Sequence, residues 1–204
     1  MAEHTDLSNL GFNNRVLICD DNEDLHQDFV KILNSAPKTE KDLALNSIEN
    51  ELFNDDPEFI PSTGDTHVSF RIDSAFQGKQ ALQMAEKAAA EGDPYAIVFM
   101  DVRMPPGWDG VLTIERIWRK LPYTEAVIVT AYSDYSWDQM IEKLGVNDKL
   151  LFIKKPFDTL TVKQLALNLT NKWNLARKAR EHISRMESEL KTRMEALDKT
   201  IRGM

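Results

Sequence analysis

The chain has 204 residues, 42% hydrophobic and 28% charged, enough for a soluble core of one domain plus an appendage at about 100–200 residues per domain. A net charge of −8 argues against a dedicated nucleic-acid binder, which needs a basic face to neutralise phosphates. With no apolar run near ~18 residues, no secretory pattern in MAEHTDLSNLGFNN and Cys19 as the single cysteine, the expectation is a cytoplasmic protein without membrane span or internal disulfide.

Residues 1–13 read as a flexible start. Arg15–Cys19 (RVLIC) is a short β-branched run ending at Asp20-Asp21, a buried strand. Leu25, Phe29, Ile32 and Leu33 then follow at helical spacing. Residues 35–66 hold eight acids against two lysines, a net of −6, and read as an acidic insertion. Within it Leu45, Ile48 and Leu52 keep helical spacing, while its end is dense in chain breakers.

His67–Ala75 alternates Val68, Phe70 and Ile72, a strand signal, and the Ala-rich Gly78–Glu91 is helical. Tyr95–Met100 (YAIVFM) is continuous apolar sequence, as in a strand covered on both faces, and ends at Asp101. A helix over Val111–Leu121, a buried strand at Ala126–Thr130, a helix over Ser136–Leu144 and a strand at Leu150–Ile153 follow. From Thr161 a helical pattern runs almost to the end, with Thr161 and Gln164 suited to a capping box.

Five apolar strands alternating with helices imply parallel βαβ units and a doubly wound α/β domain. Ligands in such folds bind beyond the carboxyl ends of the strands. Those ends carry Asp20-Asp21, Asp101, Thr130 and Lys155, so one rim collects three carboxylates, a hydroxyl and an ammonium. Two like charges at ~4 Å cost about 4 kcal/mol at an effective dielectric of ~20, so the cluster needs a cation or raised pKa values. A hard divalent ion such as Mg²⁺ suits oxygen donors. A carboxylate beside it can attack phosphorus and form an aspartyl phosphate. Asp101 ends the central strand and is the candidate nucleophile, with Lys155 and Thr130 as partners for the new phosphoryl oxygens.

These motifs resemble the two-component receiver domain: Asp20-Asp21 after the first strand, Asp101-Val-Arg-Met-Pro after the third, Thr130-Ala131 after the fourth and Lys155-Pro156 after the fifth. The resemblance covers roughly residues 14–160. It implies a flavodoxin-like five-stranded parallel sheet of order 2-1-3-4-5. It further implies that Asp101 accepts a phosphoryl group from a histidine kinase or phosphotransfer protein. Mg²⁺ would be held by Asp21, Asp101 and the Arg103 backbone carbonyl, with Asp20 acting through a metal-bound water. Thr130 and Lys155 would contact the phosphoryl group. Thr130 and Phe152 stand at the positions of the family's switch pair, and the small Ala131 leaves room for the donor.

The chain departs from the family pattern in three places. Met104-Pro105-Pro106-Gly107-Trp108-Asp109-Gly110 is one residue longer than the usual loop; Gly107 could supply a positive-φ turn, and Trp108 could pack down or dock a partner. Residues 35–66 add a solvated excursion or a partner surface. The segment Tyr132–Trp137 is unusually aromatic, and Tyr132 with Arg103 is expected to hinder water and lengthen the phosphoryl lifetime.

In the tail, Ala176, Ala179, Ile183, Met186, Leu190, Met194, Leu197 and Ile201 form a heptad seam with one four-residue insertion near Met194. Residues 172–204 carry nine Lys/Arg and five Asp/Glu, which suits coiled-coil flanks. The expectation is a parallel homodimer through residues 172–201, within a linker helix spanning 161–204. Similar receivers stand ahead of histidine-kinase, diguanylate-cyclase or phosphodiesterase modules through such a helix. His182 is followed by Ile183 rather than an acid and reads as an exposed coiled-coil residue.

The leading reading is a phosphorylation-controlled switch that changes dimer geometry to control an output module, with only phosphoryl acceptance and slow self-dephosphorylation of its own. A phosphorylation-independent pseudo-receiver scaffold is the alternative. A haloacid-dehalogenase-type phosphatase would want an acid where Arg103 stands.

Overall fold

A computed structural model describes residues 12–34, 69–131, 137–145 and 147–202. The expectations for residues 1–11, the acidic insertion 35–66, the start of the second strand at His67 and the aromatic segment 132–136 lie outside the described residues.

The strand and helix patterns of the sequence become ten elements: β1 (Arg15–Cys19), α1 (Glu23–Asn34), β2 (Arg71–Ala75), α2 (Gly78–Ala90), β3 (Ile97–Asp101), α3 (Gly110–Lys120), β4 (Glu125–Thr130), α4 (Trp137–Leu144), β5 (Leu150–Lys154) and α5 (Thr159–Arg202). All strand pairings are parallel, in the order β2-β1-β3-β4-β5, as the receiver resemblance implies.

Successive strand side chains point to opposite faces, and both faces are covered. Val16, Ile18, Ile97, Phe99, Val127 and Val129 pack against α1 and α5 through Phe29, Leu33, Val162, Ala166, Leu169 and Trp173. Leu17, Cys19, Val98, Met100, Ala126 and Ile128 face α2, α3 and α4 through Ala81, Ala85, Ile114, Ile117 and Met140. This two-sided covering is why β3 and β4 are apolar at nearly every position and fully buried.

Helix α5 starts two residues earlier than the sequence pattern indicates. The Asp158 carboxylate accepts from the Thr161 N–H (2.8 Å) and from its hydroxyl (2.5 Å), so Asp158 is the cap and Thr161 lies inside the first turn. A carboxylate three residues ahead outcompetes a capping box centred on Thr161, because it satisfies an otherwise orphaned amide at the positive end of the helix.

The same helix then runs back along the sheet. Asn174 accepts from the Asn13 N–H (2.8 Å) and donates to the Asn13 carbonyl (2.7 Å), tying α5 to the entrance of β1. Lys172 meets Glu125 and Asp148 at 3.1 Å each, at the entrance of β4 and the turn before β5. Arg180 stacks on Tyr123, its guanidinium 3.8 Å from the ring centre. α5 therefore leaves the domain at the end of the sheet opposite the carboxyl rim.

Candidate functional site

Strand register assembles the rim. Cys19 pairs with Met100, Asp101 with Val129, and Thr130 with Lys154. The residues that follow β1 and β5 thus stand level with the ends of β3 and β4. Asp20, Asp101, Thr130 and Lys155 are brought together in this way from four strands.

The tightest feature is a shared cation. Lys155 Nζ donates to Asp20 Oδ2 (2.7 Å) and to Asp101 Oδ1 (2.6 Å). Both carboxylates are deeply placed, with Asp20 2% and Asp101 7% exposed. Their other oxygens are held by backbone amides: Asn22 N–H donates to Asp20 Oδ1 (2.9 Å) and Arg103 N–H to Asp101 Oδ2 (2.7 Å). Each acid is therefore fixed by an amide of its own loop and by one lysine between them.

Burial pushes the Asp101 carboxyl above its ordinary range, and neighbouring Asp20 adds to this. Lys155 and the Arg103 amide act in the opposite direction without cancelling it. Burial works against the Lys155 charge, but the two acids raise its pKa overall. The Cys19 thiol behind the rim is pushed up to about 12, by burial first and then by the charges of Asp20, Asp101 and Asp21.

Asp21, Arg103 and Phe152 are placed less centrally, while Thr130 lines the rim at the end of β4. Asp21 is exposed beside Asp20, and Arg103 turns an exposed side chain outward while its amide grips Asp101. The Thr130 hydroxyl donates to the Ala131 carbonyl (2.8 Å), and the Thr130 carbonyl accepts from the Lys155 N–H (2.9 Å). Phe152 is half-buried on the edge strand, packed against the α2–α4 side of the core.

The loop after Asp101 corrects one expectation. Among the described residues positive φ occurs only at Gly92 and Gly145, so Gly107 does not supply a left-handed turn. A Cβ there would collide only with the far end of the flexible Gln77 side chain, which can swing aside. Trp108 packs down on the domain: the Arg116 guanidinium lies 3.9 Å from its ring centre and Lys79 approaches at 5.5 Å. At Gly110 a Cβ would collide with the Asp101 carbonyl and the Met100 side chain. The Gly110 N–H donates to the Val102 carbonyl (3.0 Å), and Asp109 caps α3 by accepting from Leu112 N–H (2.7 Å). The helix can approach the Asp101 loop this closely only with glycine at its first position.

Two site residues escaped the sequence reading. Asn22 fixes Asp20 through its amide and caps α1 by accepting from Asp24 N–H (2.9 Å); its place just ahead of an apolar helix was the available signal. His26 is buried, and its Nε2 donates to the Asp20 carbonyl (2.8 Å). It stands three residues before Phe29 and seven before Leu33, on the buried face of α1, and that spacing was the available signal.

Among the described residues no three His, Cys, Asp or Glu side chains form a ready cage for a metal ion. The site offers two converging carboxylates with hard oxygen donors. That fits an ion such as Mg²⁺, which takes one or two carboxylates and keeps several waters.

Comparison with known proteins identifies the family and the fold. Residues 63–166 match the family model of the response regulator receiver domain, and the chain belongs to that family. The osmosensing histidine protein kinase SLN1 of Saccharomyces cerevisiae is 34% identical over 86 residues, which is 42% of this chain but only 7% of the kinase. Among solved structures, a response regulator receiver protein from Sinorhizobium medicae superposes with a TM-score of 0.51 at 17% identity, covering 79% of this chain and 97% of its own. An adenylate cyclase structure from Rhodopirellula baltica gives 0.55 at 20% identity, covering 84% and 98%. At these identities the solved structures speak for the fold alone. Among the described residues no helix is long and apolar enough to cross a membrane.

Proposed function

We propose that this receiver domain is a phosphoacceptor switch in which Asp101 takes a phosphoryl group from a phosphohistidine of a histidine kinase or phosphotransfer protein. The observation that carries the reading is the convergence of Asp20 and Asp101 on one lysine at 2.7 and 2.6 Å. An Asp101 carboxylate oxygen attacks phosphorus, the P–N bond to the donor imidazole breaks, and the imidazole keeps the electron pair.

The surrounding residues have separate tasks. The Arg103 amide orients Asp101 by holding one of its oxygens. Lys155 moves from the carboxylate pair to the transferred phosphoryl oxygens, where its point charge offsets the added negative charge. Thr130 exchanges its bond to the Ala131 carbonyl for one to the phosphoryl group. The exposed Ala131 leaves an open approach for the donor.

Asp21, Asp101 and the Arg103 carbonyl, with Asp20 through water, are the residues that would hold Mg²⁺. The ion would supply charge stabilisation to the phosphoryl oxygens and allow several acids to stay ionised together. Reorientation of Thr130 would free space near Phe152 on the neighbouring strand, giving the surface of β4, α4 and β5 two states.

The test is chemical. After incubation with acetyl phosphate and Mg²⁺, wild-type protein should carry a hydroxylamine-labile phosphate, and Asp101→Ala should carry none. Equal labelling of the two proteins would refute the assignment of Asp101.

A further inference from the structure

We infer that α5 pairs with α5 of a second copy of this chain along the seam Ile183, Met186, Leu190 and Met194. These side chains remain 54%, 50%, 57% and 68% exposed in the single chain, although they recur at the three- and four-residue spacing of a packed stripe. Every residue from 181 to 195 is exposed, so among the described residues nothing packs over this part of the helix. Isolated helices draw little stability from propensity alone, and an apolar stripe on a solvated helix calls for a partner.

The geometry leaves that stripe available. At about 100° per residue, the seam lies roughly a quarter turn round the helix from the face formed by Val162, Ala166, Leu169 and Trp173. That face is buried against the sheet. One unbroken helix can therefore hold its own domain on one side and another helix on the adjacent side, without giving up either contact.

The occupant is most simply the same helix. Along the flanks Arg180 and Arg185 give way to Glu187 and Glu189, then to Lys191 and Arg193, then to Glu195. Signs so interspersed present no field of one polarity, which suits a self-complementary two-fold interface. The seam is also continuous with a helix already fixed at its exit by Lys172, Asn174 and Arg180, so ordering it for pairing costs little additional conformational freedom.

The inference is independent of phosphoryl chemistry and is tested without Mg²⁺ or phosphodonor. Light scattering coupled to size exclusion should give twice the chain mass for the wild type. The double substitution Ile183→Lys and Leu190→Lys should give the single-chain mass. Both seam residues are exposed on the isolated chain, so the near-ultraviolet circular dichroism of the domain should be retained. A wild-type protein at single-chain mass overturns the inference, as does a dimer that persists in the double variant.

Discussion

Lys155 Nζ stands 2.6 Å from Asp101 Oδ1 and 2.7 Å from Asp20 Oδ2, one ammonium serving two buried carboxylates. With Asp20 and Asp101 so nearly covered, the lysine is the main counter-charge the described chain provides at this point. Its removal exposes the repulsion that a cation must otherwise offset.

Lys155→Ala should therefore lower stability in metal-free buffer by about 3 kcal/mol, the scale of breaking a buried ion pair. Added Mg²⁺ should raise the melting temperature of the variant more than that of the wild type, because the ion takes over the role of the missing ammonium. Thermal unfolding of both proteins in chelator and in Mg²⁺ provides the comparison. An equal Mg²⁺ response in the two would argue against metal binding between these acids.

Asp101 carries a pH signature. Burial raises its folded pKa above the unfolded value. Its contribution to stability is therefore full below the ordinary carboxylate range and is lost as pH rises through the raised value. Asp101→Asn lacks this titration. In metal-free buffer the variant should gain stability relative to wild type between about pH 4 and pH 7. Denaturant melts at the two pH values would show it, and a gap that shrinks over that interval would contradict the burial account.

Gly110 is a packing requirement of the site. A methyl group there meets the Asp101 carbonyl and Met100. Gly110→Ala should cost about 1–3 kcal/mol, the range for overpacking, and should slow phosphorylation by shifting the Asp101 loop. Gly92→Ala serves as a contrasting variant, since nothing lies near its added Cβ and only its positive φ is strained.

Asn174 ties the long helix to the entrance of β1 through both polar groups of the Asn13 backbone. Asn174→Ala leaves a buried amide and carbonyl without partners, at a cost of about 1–3 kcal/mol. Hydrogen exchange at Asn13 should accelerate, while exchange in β3 should change only as far as global stability falls.

The legibility of this chain follows from the kind of constraint at each place. β3 and β4 were readable because strands covered on both faces must be apolar throughout, and their ends could then be placed on one rim. The identity of the rim residues followed from that, since parallel order stacks strand ends by necessity. The partnership of Lys155 with both acids was not readable, because it depends on a side-chain rotamer reaching past the end of β4 to the ends of β3 and β1. The start of α5 differs from the sequence pattern because Asp158 and Thr161 are both good cap residues, and only the backbone shows which one is in position. Gly107 offers a positive-φ turn in sequence, but backbone conformation depends on how the whole loop returns to α3, and its φ stays out of that region. The matched family region begins at residue 63, so β1 and α1 lie ahead of it, separated by the acidic segment. The sheet itself joins β1 to β3 and returns Asp20 to the site.

The central claim is that Asp101 is the phosphoacceptor, and intact mass measurement tests it most directly. With Mg²⁺ and a small phosphodonor, wild-type protein should gain about 80 Da, one phosphoryl group, and Asp101→Ala should gain nothing. No gain in the wild type, or the same gain in the variant, would contradict the account.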